Sequence, residues 1–399
     1  MAAALLQREH IPLLVVEKQT FPRFVIGESL LPSSMNQLAS AGLLEAVEKQ
    51  QFMTKHGAVF LRGDQRCNFD FAAQFSDGWK YTYQVPRADF DQTLINAVAA
   101  RGVDVRFQHS VTAVEFSDAG ARTTVEHHGE PFIVQSRFIL DCSGYGRVLP
   151  RLLHLEEPSS QPPRAALFAH IAGDQRPVER EQGKIWVCAH PGGAWIWIIP
   201  FSNGRTSVGV VASPEFFSSY PEEPAAQLRA IVMSDSNAAQ RLGNMEFLFT
   251  PQRIVGYSCA VKQLFGPRFA LAGNASEFLD PVFSSGVALA LASSERATHL
   301  LIRQWRGEAV DWQREYADWL MQGVNTFRAY INGWYNGNLA TIFFAPNPNL
   351  AIMGQICSVL AGYVWDRSNP YASKADRAIA ALARILADPK WANRNLAGL

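Results

Sequence analysis

"RFALAGNASEFLDPVFSSGVALALASSERATHLL", residues 268–301, passes from a short apolar strand through a loop of small and polar residues into a long helix. Pro281 fixes the turn, and Ser284, Ser285 and Gly286 allow close backbone approach. The helix is expected to begin at Ser284–Gly286. Free N–H groups and the helix dipole favour an anion or an electron-rich carbonyl there. An ordinary capped helix would read the same way, so the meaning of this stretch rests on its neighbours.

Working outward, the N-terminal residues carry a complementary signal. "MAAALLQREHIP" reads as the tail of a helix, and "LLVVEK" (13–18) as a short buried strand ending in an acid. Glu17 stands where a dinucleotide-binding fold places the acid that holds a ribose hydroxyl, although a solvated strand-end residue would read alike. The glycine fingerprint of such a fold lies about 20 residues earlier, at or before Met1, and no GxGxxG occurs elsewhere. The chain is therefore expected to start inside a βαβ unit, without its first strand and phosphate loop. Residues upstream of Met1 are expected to supply them.

"FPRFVIGESLLP" (21–32) follows Glu17 closely and fits neither helix nor strand periodicity. It reads as an ordered loop, with Gly27 allowing backbone approach and Glu28 and Ser29 fixing the loop by hydrogen bonds. A helix capped at Ser33 or Ser34 is expected to run through "MNQLASAGLLEAVEKQ". Strands are expected at "HGAVFLR", "CNFDFAA" and "KYTYQVPR", then an amphipathic helix over 88–102. Further strands run to a glycine-bearing turn at 144–146. Residues 160–250 read as β segments with one helix near 222–234, and the chain beyond 310 as helices broken at "FFAPNPN".

Within "AWIWIIPF" (194–201), strand alternation puts Trp195 and Trp197 on one face and Ile196 and Ile198 on the other. The two indoles read either as core or as a rigid aromatic wall. Lys55, in "FMTKHGAVF", lies between an expected helix and a strand. Most lysines are solvated, but burial can tune an amine into a nucleophile or proton donor.

Bulk properties exclude several classes. The 36 basic and 36 acidic side chains cancel, and no basic run marks a nucleic-acid surface. Five widely spaced cysteines read as reduced thiols of a cytoplasmic protein, with no metal-ligand spacing. No signal peptide or spanning segment is evident. "LAIMGQICSVLAGYVW" (350–365) reads as a helix packed on the core, with a membrane-interface or partner-binding role as the alternative.

Together these segments resemble the flavin-dependent halogenases, within the FAD-dependent monooxygenase and geranylgeranyl-reductase-like superfamily. "WIWIIP" (195–200) matches the signature WxWxIP, "FLDPVFSSG" (278–286) matches FxxPxxSxG, and "FPRFVIGESLLP" resembles the early loop. The likeness extends from residue 1 to about 300 and is nearest the phenol- and pyrrole-halogenating branch. It implies an α/β fold: an FAD-binding Rossmann-like domain, N-terminally truncated, over 1–155 and 251–305. An antiparallel-sheet substrate domain over 156–250 and a helical C-terminal region over 306–399 would complete it.

The resemblance implies that reduced FAD, oxygen and halide yield hypohalous acid, which Lys55 delivers to an electron-rich ring. It implies halide binding at the Ser285 and Gly286 amides, and Trp195 and Trp197 between flavin and substrate. The early loop would act as a strap along the flavin, with Gly27, Glu28 and Ser29 beside it. Arg87 would contact the flavin phosphates, and Glu17, Asn274, Asp280 and Pro281 would line the cofactor. Asn274 replaces the usual Asp, keeping the carbonyl and losing the charge. Phe283 stands where tryptophan halogenases carry a second catalytic Glu, which suits an activated phenol or a carrier-tethered pyrrole. A separate flavin reductase would supply reduced FAD. The alternatives are a non-halogenating FAD oxidoreductase and a flavin-free remnant of the fold.

Overall fold

The computed structural model describes residues 1–388. Its first layer holds the short parallel strands expected of a Rossmann-like core. The strand Leu14–Glu17 pairs in parallel with Asp104–Phe107, and Ile139–Asp141 pairs in parallel with Phe269–Leu271. The helix Ala2–Arg8 buries Ala4, Leu5 and Leu6 and packs on the helix Ser285–Trp305. That long helix carries Ala288, Leu289, Ala292, Leu300 and Leu301 inward, an apolar stripe at helical spacing. A three-stranded meander over His109–Ser136 flanks this layer.

The second layer is an eight-stranded mixed sheet. Its centre, Ala194–Pro200 against Thr206–Ala212, is buried at every residue, because both faces of the sheet are covered. Trp195 and Trp197 face one core and Ile196 and Ile198 the other, as strand alternation dictates. The helices Pro224–Ser234 and Ser236–Leu242 cover the Ile face. The sheet also recruits Gly57–Arg62, Gln65–Asp70 and Gln252–Val255, so its strands come from outside 156–250 as well as within. Within this sheet Ile185–Cys188 pairs in parallel with Ala58–Leu61, which brings an N-terminal segment of the chain beside the tryptophan strands.

Helices Trp319–Tyr335, Asn338–Phe343, Leu350–Leu360 and Ala375–Ala387 pack on the Trp face. The break at "FFAPNPN" falls between the second and third of these. Ile356, Cys357, Val359 and Leu360 are buried in the core, while Leu350 is exposed. Among the described residues, no helix is long and apolar enough to cross a membrane. The last residues of the expected helical region, 389–399, lie outside the described residues.

Three local expectations need correction. The helix after the early loop spans Ser33–Ser40 without a side-chain cap, because Pro32 already has helical dihedrals and opens it. Gly42, at φ +64°, ends that run, and a separate short helix restarts at Leu44–Glu48. A second helix, Ser236–Leu242, follows the expected one near 222–234. Asp235 starts it by accepting from the Ala238 N–H.

Candidate active site

The early loop is tied down at both flanks. Its Glu28 carbonyl accepts from the Val85 N–H (2.7 Å) and its Leu30 N–H donates to the Tyr83 carbonyl (3.1 Å), so the loop runs beside Thr82–Gln84. That strand pairs in turn with Met53–Lys55. The Glu28 carboxylate, 2% exposed, meets His170 Nε2 at 2.6 Å. Phe24 stacks on Phe168 at 5.9 Å, placing the loop against the sheet. Gly27 adopts φ +100°, and a Cβ there would meet Arg87 Nη1 at 3.1 Å.

Arg87 is engaged within the protein. It forms a two-pronged ion pair with Asp91 (2.9 and 3.0 Å) and donates to the carbonyls of Ile26 and Gly27. This arrangement orders the loop with charge-assisted hydrogen bonds.

Lys55 lies behind the loop. Its side chain is buried, and Nζ donates to the Leu30 carbonyl at 2.8 Å. The ammonium also sits 5.5 Å from the Phe71 ring centre. Burial without a carboxylate partner pushes its pKa down from 10.5 to about 7. An amine that exchanges its proton near neutrality is suited to nucleophilic or proton-donor work. Three buried acceptor or hydroxyl atoms on the adjoining strands, Ser29 Oγ, Thr82 Oγ1 and Gln84 Oε1, lack a hydrogen-bond partner among the described residues. Lys55 is cross-strand neighbour to Thr82, and Ser29 bridges to Gln84. A concentration of unpaired polar atoms around a buried amine is costly unless something binds there.

The second half of the site begins at Asp280, which accepts from the Val282 N–H at 3.1 Å and so shapes the turn around Pro281. Ser284 follows at φ +57°, and the helix Ser285–Trp305 opens without a side-chain cap. Its first N–H groups, those of Ser285 and Gly286 included, have no side-chain cap. Phe283 turns into an aromatic cluster, 6.1 Å from Phe60, 6.0 Å from Tyr330 and 6.2 Å from Trp334.

Hydrogen bonds connect this turn to the tryptophan strand. Tyr335 donates to the Asp280 carboxylate (2.8 Å) and accepts from Trp195 Nε1 (3.1 Å), while Tyr257 donates to the same carboxylate at 3.4 Å. Desolvation pushes the Asp280 pKa up from 3.8 to about 6. Trp197 packs 5.8 Å from Trp195 and donates to Ser207 Oγ. Tyr335, Tyr257, Thr82, Phe71 and His170 were not singled out from sequence. They lie far along the chain from the motifs they touch, and no local period marks them.

The structure brings Glu28, Ser29 and Lys55 together across the loop, and Trp195, Asp280 and Pro281 together through Tyr335. Glu17 ends its parallel strand as expected, its Oε1 accepting from the Gln19 N–H. Asn274 sits in a short turn at Gly273–Ala275, its main-chain carbonyl accepting from Arg147. The open helix start, the positive-φ Gly27 and the unpartnered Ser29 hydroxyl fit a flavin lying between loop and helix.

Parallel strand pairs, a second sheet and this paired site define an α/β protein with a Rossmann-like core. A profile of the family described as tryptophan halogenase matches residues 67–352. The chain belongs to that family. It is 33% identical over 303 residues to a tryptophan 2-halogenase of Chondromyces crocatus, covering 73% of this chain. The chain spans only 57% of that relative's length. Against a 1H-pyrrole-2-carbonyl-[peptidyl-carrier protein] chlorinase of Pseudomonas fluorescens it is 25% identical, covering 97% of this chain and 91% of the relative. The crystal structure of a flavoprotein/dehydrogenase from Cytophaga hutchinsonii superposes with a TM-score of 0.94 at 45% identity. That match covers 96% of this chain and 95% of the other.

Proposed function

We propose that this protein is an FAD-dependent halogenase acting on an electron-rich aromatic ring, phenolic or pyrrolic, free or tethered to a carrier protein. The observation that carries the reading is Lys55: a buried amine with one carbonyl partner, surrounded by unpaired polar atoms on the strands that hold it. FAD, reduced by a separate reductase, supplies the chemistry that converts oxygen and halide to hypohalous acid.

The protein's own groups position and enclose. Ser285 and Gly286 present open amides to halide at the start of the long helix. The loop, locked by Glu28, His170 and Arg87, separates the cofactor side from the Lys55 side. Trp195 and Trp197 form a dry wall that keeps substrate off the flavin. Lys55 holds or donates a proton to hypohalous acid and aims it at the ring. Phe283 puts an aromatic ring at a position where a second catalytic carboxylate would otherwise stand, which suits a substrate that needs no further activation. The name of the P. fluorescens relative supports the carrier-tethered pyrrole.

A second reading is an FAD oxidoreductase that does not halogenate. The name and 45% identity of the C. hutchinsonii flavoprotein favour it. Purified protein, loaded with FAD and supplied with a flavin reductase, oxygen and chloride or bromide, separates the two. Halide-dependent aryl halide from a panel of phenols and pyrrolyl-carrier substrates supports the first reading. Halide-independent turnover of the same flavoprotein supports the second.

A further inference from the structure

A cavity of about 320 Å³ opens beside Asp280 and Tyr335, away from Lys55. The sheet register separates the two places. Ala58, Ile185 and Ile199 form one cross-strand row, which continues through Ser207 to His170 beside the loop. Arg164 immediately precedes Ala165, which pairs with Ala212 at the other end of the same strands. Five strand steps from Ala165 to His170 amount to roughly 16 Å.

Arg164 and Gln161 line this cavity, each with side-chain N–H groups that have no hydrogen-bond acceptor among the described residues. Arg164 stacks its guanidinium 3.9 Å from the Tyr335 ring centre and makes no side-chain hydrogen bond or ion pair among the described residues. Gln161 uses its Oε1 to accept from the Asp280 N–H, leaving a buried Nε2 unpaired. Ser258 and Asn332 add polar groups to the lining, while Pro162 and Ile331 supply apolar walls. The nearby Asp280 carboxylate feels the Arg164 charge but makes no close contact with the guanidinium. It already accepts from Tyr335, Tyr257 and the Val282 N–H, and no ion pair joins it to Arg164.

A planar guanidinium held flat by an aromatic ring is preorganised for a two-pronged contact with a carboxylate. An unpaired amide donor beside it calls for an acceptor, and apolar walls with a tyrosine face suit a ring. We propose that this cavity is a binding subsite for a small aromatic carboxylate, with Arg164 and Gln161 Nε2 gripping the carboxylate and the ring lying between Pro162 and Ile331. The subsite borders the candidate active site through Asp280 and Tyr335, but it uses neither Lys55 nor the helix start, so a binding test can fail or succeed apart from the halogenase reading.

Calorimetric titration of the purified protein with benzoate and with benzamide tests it without turnover. Benzoate is expected to bind one to one, with benzamide at least about ten-fold weaker, a difference of about 1.4 kcal/mol. Arg164→Met is expected to weaken benzoate about ten-fold or more, and Arg164→Lys to restore part of the loss. Gln161→Met, on the loop before the sheet, is expected to weaken benzoate as well, with a modestly lower melting temperature because the Asp280 N–H loses its acceptor. Absence of benzoate binding at millimolar concentration, or equal benzoate affinity in wild type and in a folded Arg164→Met or Gln161→Met protein, overturns the proposal.

Discussion

Lys55 Nζ donates to the Leu30 carbonyl at 2.8 Å, so the buried amine and the early loop are one unit. The loop reaches Lys55 because its backbone extends the strand Thr82–Gln84, whose other edge carries Met53–Lys55. Displacing the loop would therefore move the acceptor that orients the amine. The loop's other anchor, Glu28 to His170, fixes it to the central sheet.

Burial holds the Lys55 pKa near 7, well under its ordinary 10.5. Between those values the unfolded chain binds a proton that the native state has lost, so this group's contribution makes stability rise with pH from about 7 to 10.5. Lys55→Met is expected to remove that slope and to stabilise the protein by roughly 1–4 kcal/mol at neutral pH. Urea unfolding of wild type and variant near pH 7 and near pH 9 measures both effects.

His170→Ala leaves the Glu28 carboxylate buried without its partner. The expected cost is about 3 kcal/mol, read from chemical denaturation. Hydrogen exchange gives the local signature: the amides of Leu30 and Val85, which pin the loop to Thr82–Gln84, should lose protection before the core does. Uniform loss of protection across the chain would contradict the anchoring role.

Asp280 behaves oppositely to Lys55. Its native pKa of about 6 exceeds the ordinary 3.8, so the native state keeps a proton that the unfolded chain releases. The contribution lowers stability as pH rises from about 4 to 6. Tyr335→Phe removes a donor to the ionised form, so the decline should extend above pH 6. Glu277, pushed by burial to about 7, adds the same sign in a neighbouring range, which makes the difference between variant and wild type the quantity to measure. Loss of the acceptor for Trp195 Nε1 should cost about 1–3 kcal/mol at every pH.

Gly209 lies under the indole of Trp197, and a Cβ there would approach the ring carbons at 2.3 Å. Gly209→Ala is expected to destabilise by about 1–3 kcal/mol through overpacking. Gly63→Ala, at a turn with nothing near the added carbon, tests only backbone strain and should cost less. Thermal melts of the two variants make the comparison.

The strongest periodic signals in the sequence were the ones the structure reproduced. The Trp and Ile alternation in 195–198, the strand ending at Glu17 and the helix opening after Ser284 all follow from local geometry that nearest neighbours enforce. The continuous helix after Ser33 did not appear, because Gly42 breaks it in favour of packing that no helical period records. The polarity of the Lys55 site was not legible either. Its burial arises when the loop, the strand Thr82–Gln84 and Phe71 converge, and each partner is polar or apolar for reasons its own segment does not reveal. Likewise, Tyr335 joins Trp195 to Asp280 across 140 and 55 residues of chain, a contact that tertiary packing alone creates.

Halide-dependent product formation by FAD-loaded wild-type protein and by Lys55→Ala, with the same reductase and substrate panel, tests the central claim most directly. The account predicts halogenated product from wild type and a loss of at least about a hundred-fold in Lys55→Ala, with flavin absorbance near 450 nm retained, in the range expected for loss of an acid–base group. Undiminished halogenation by a folded, flavin-loaded Lys55→Ala protein would contradict it.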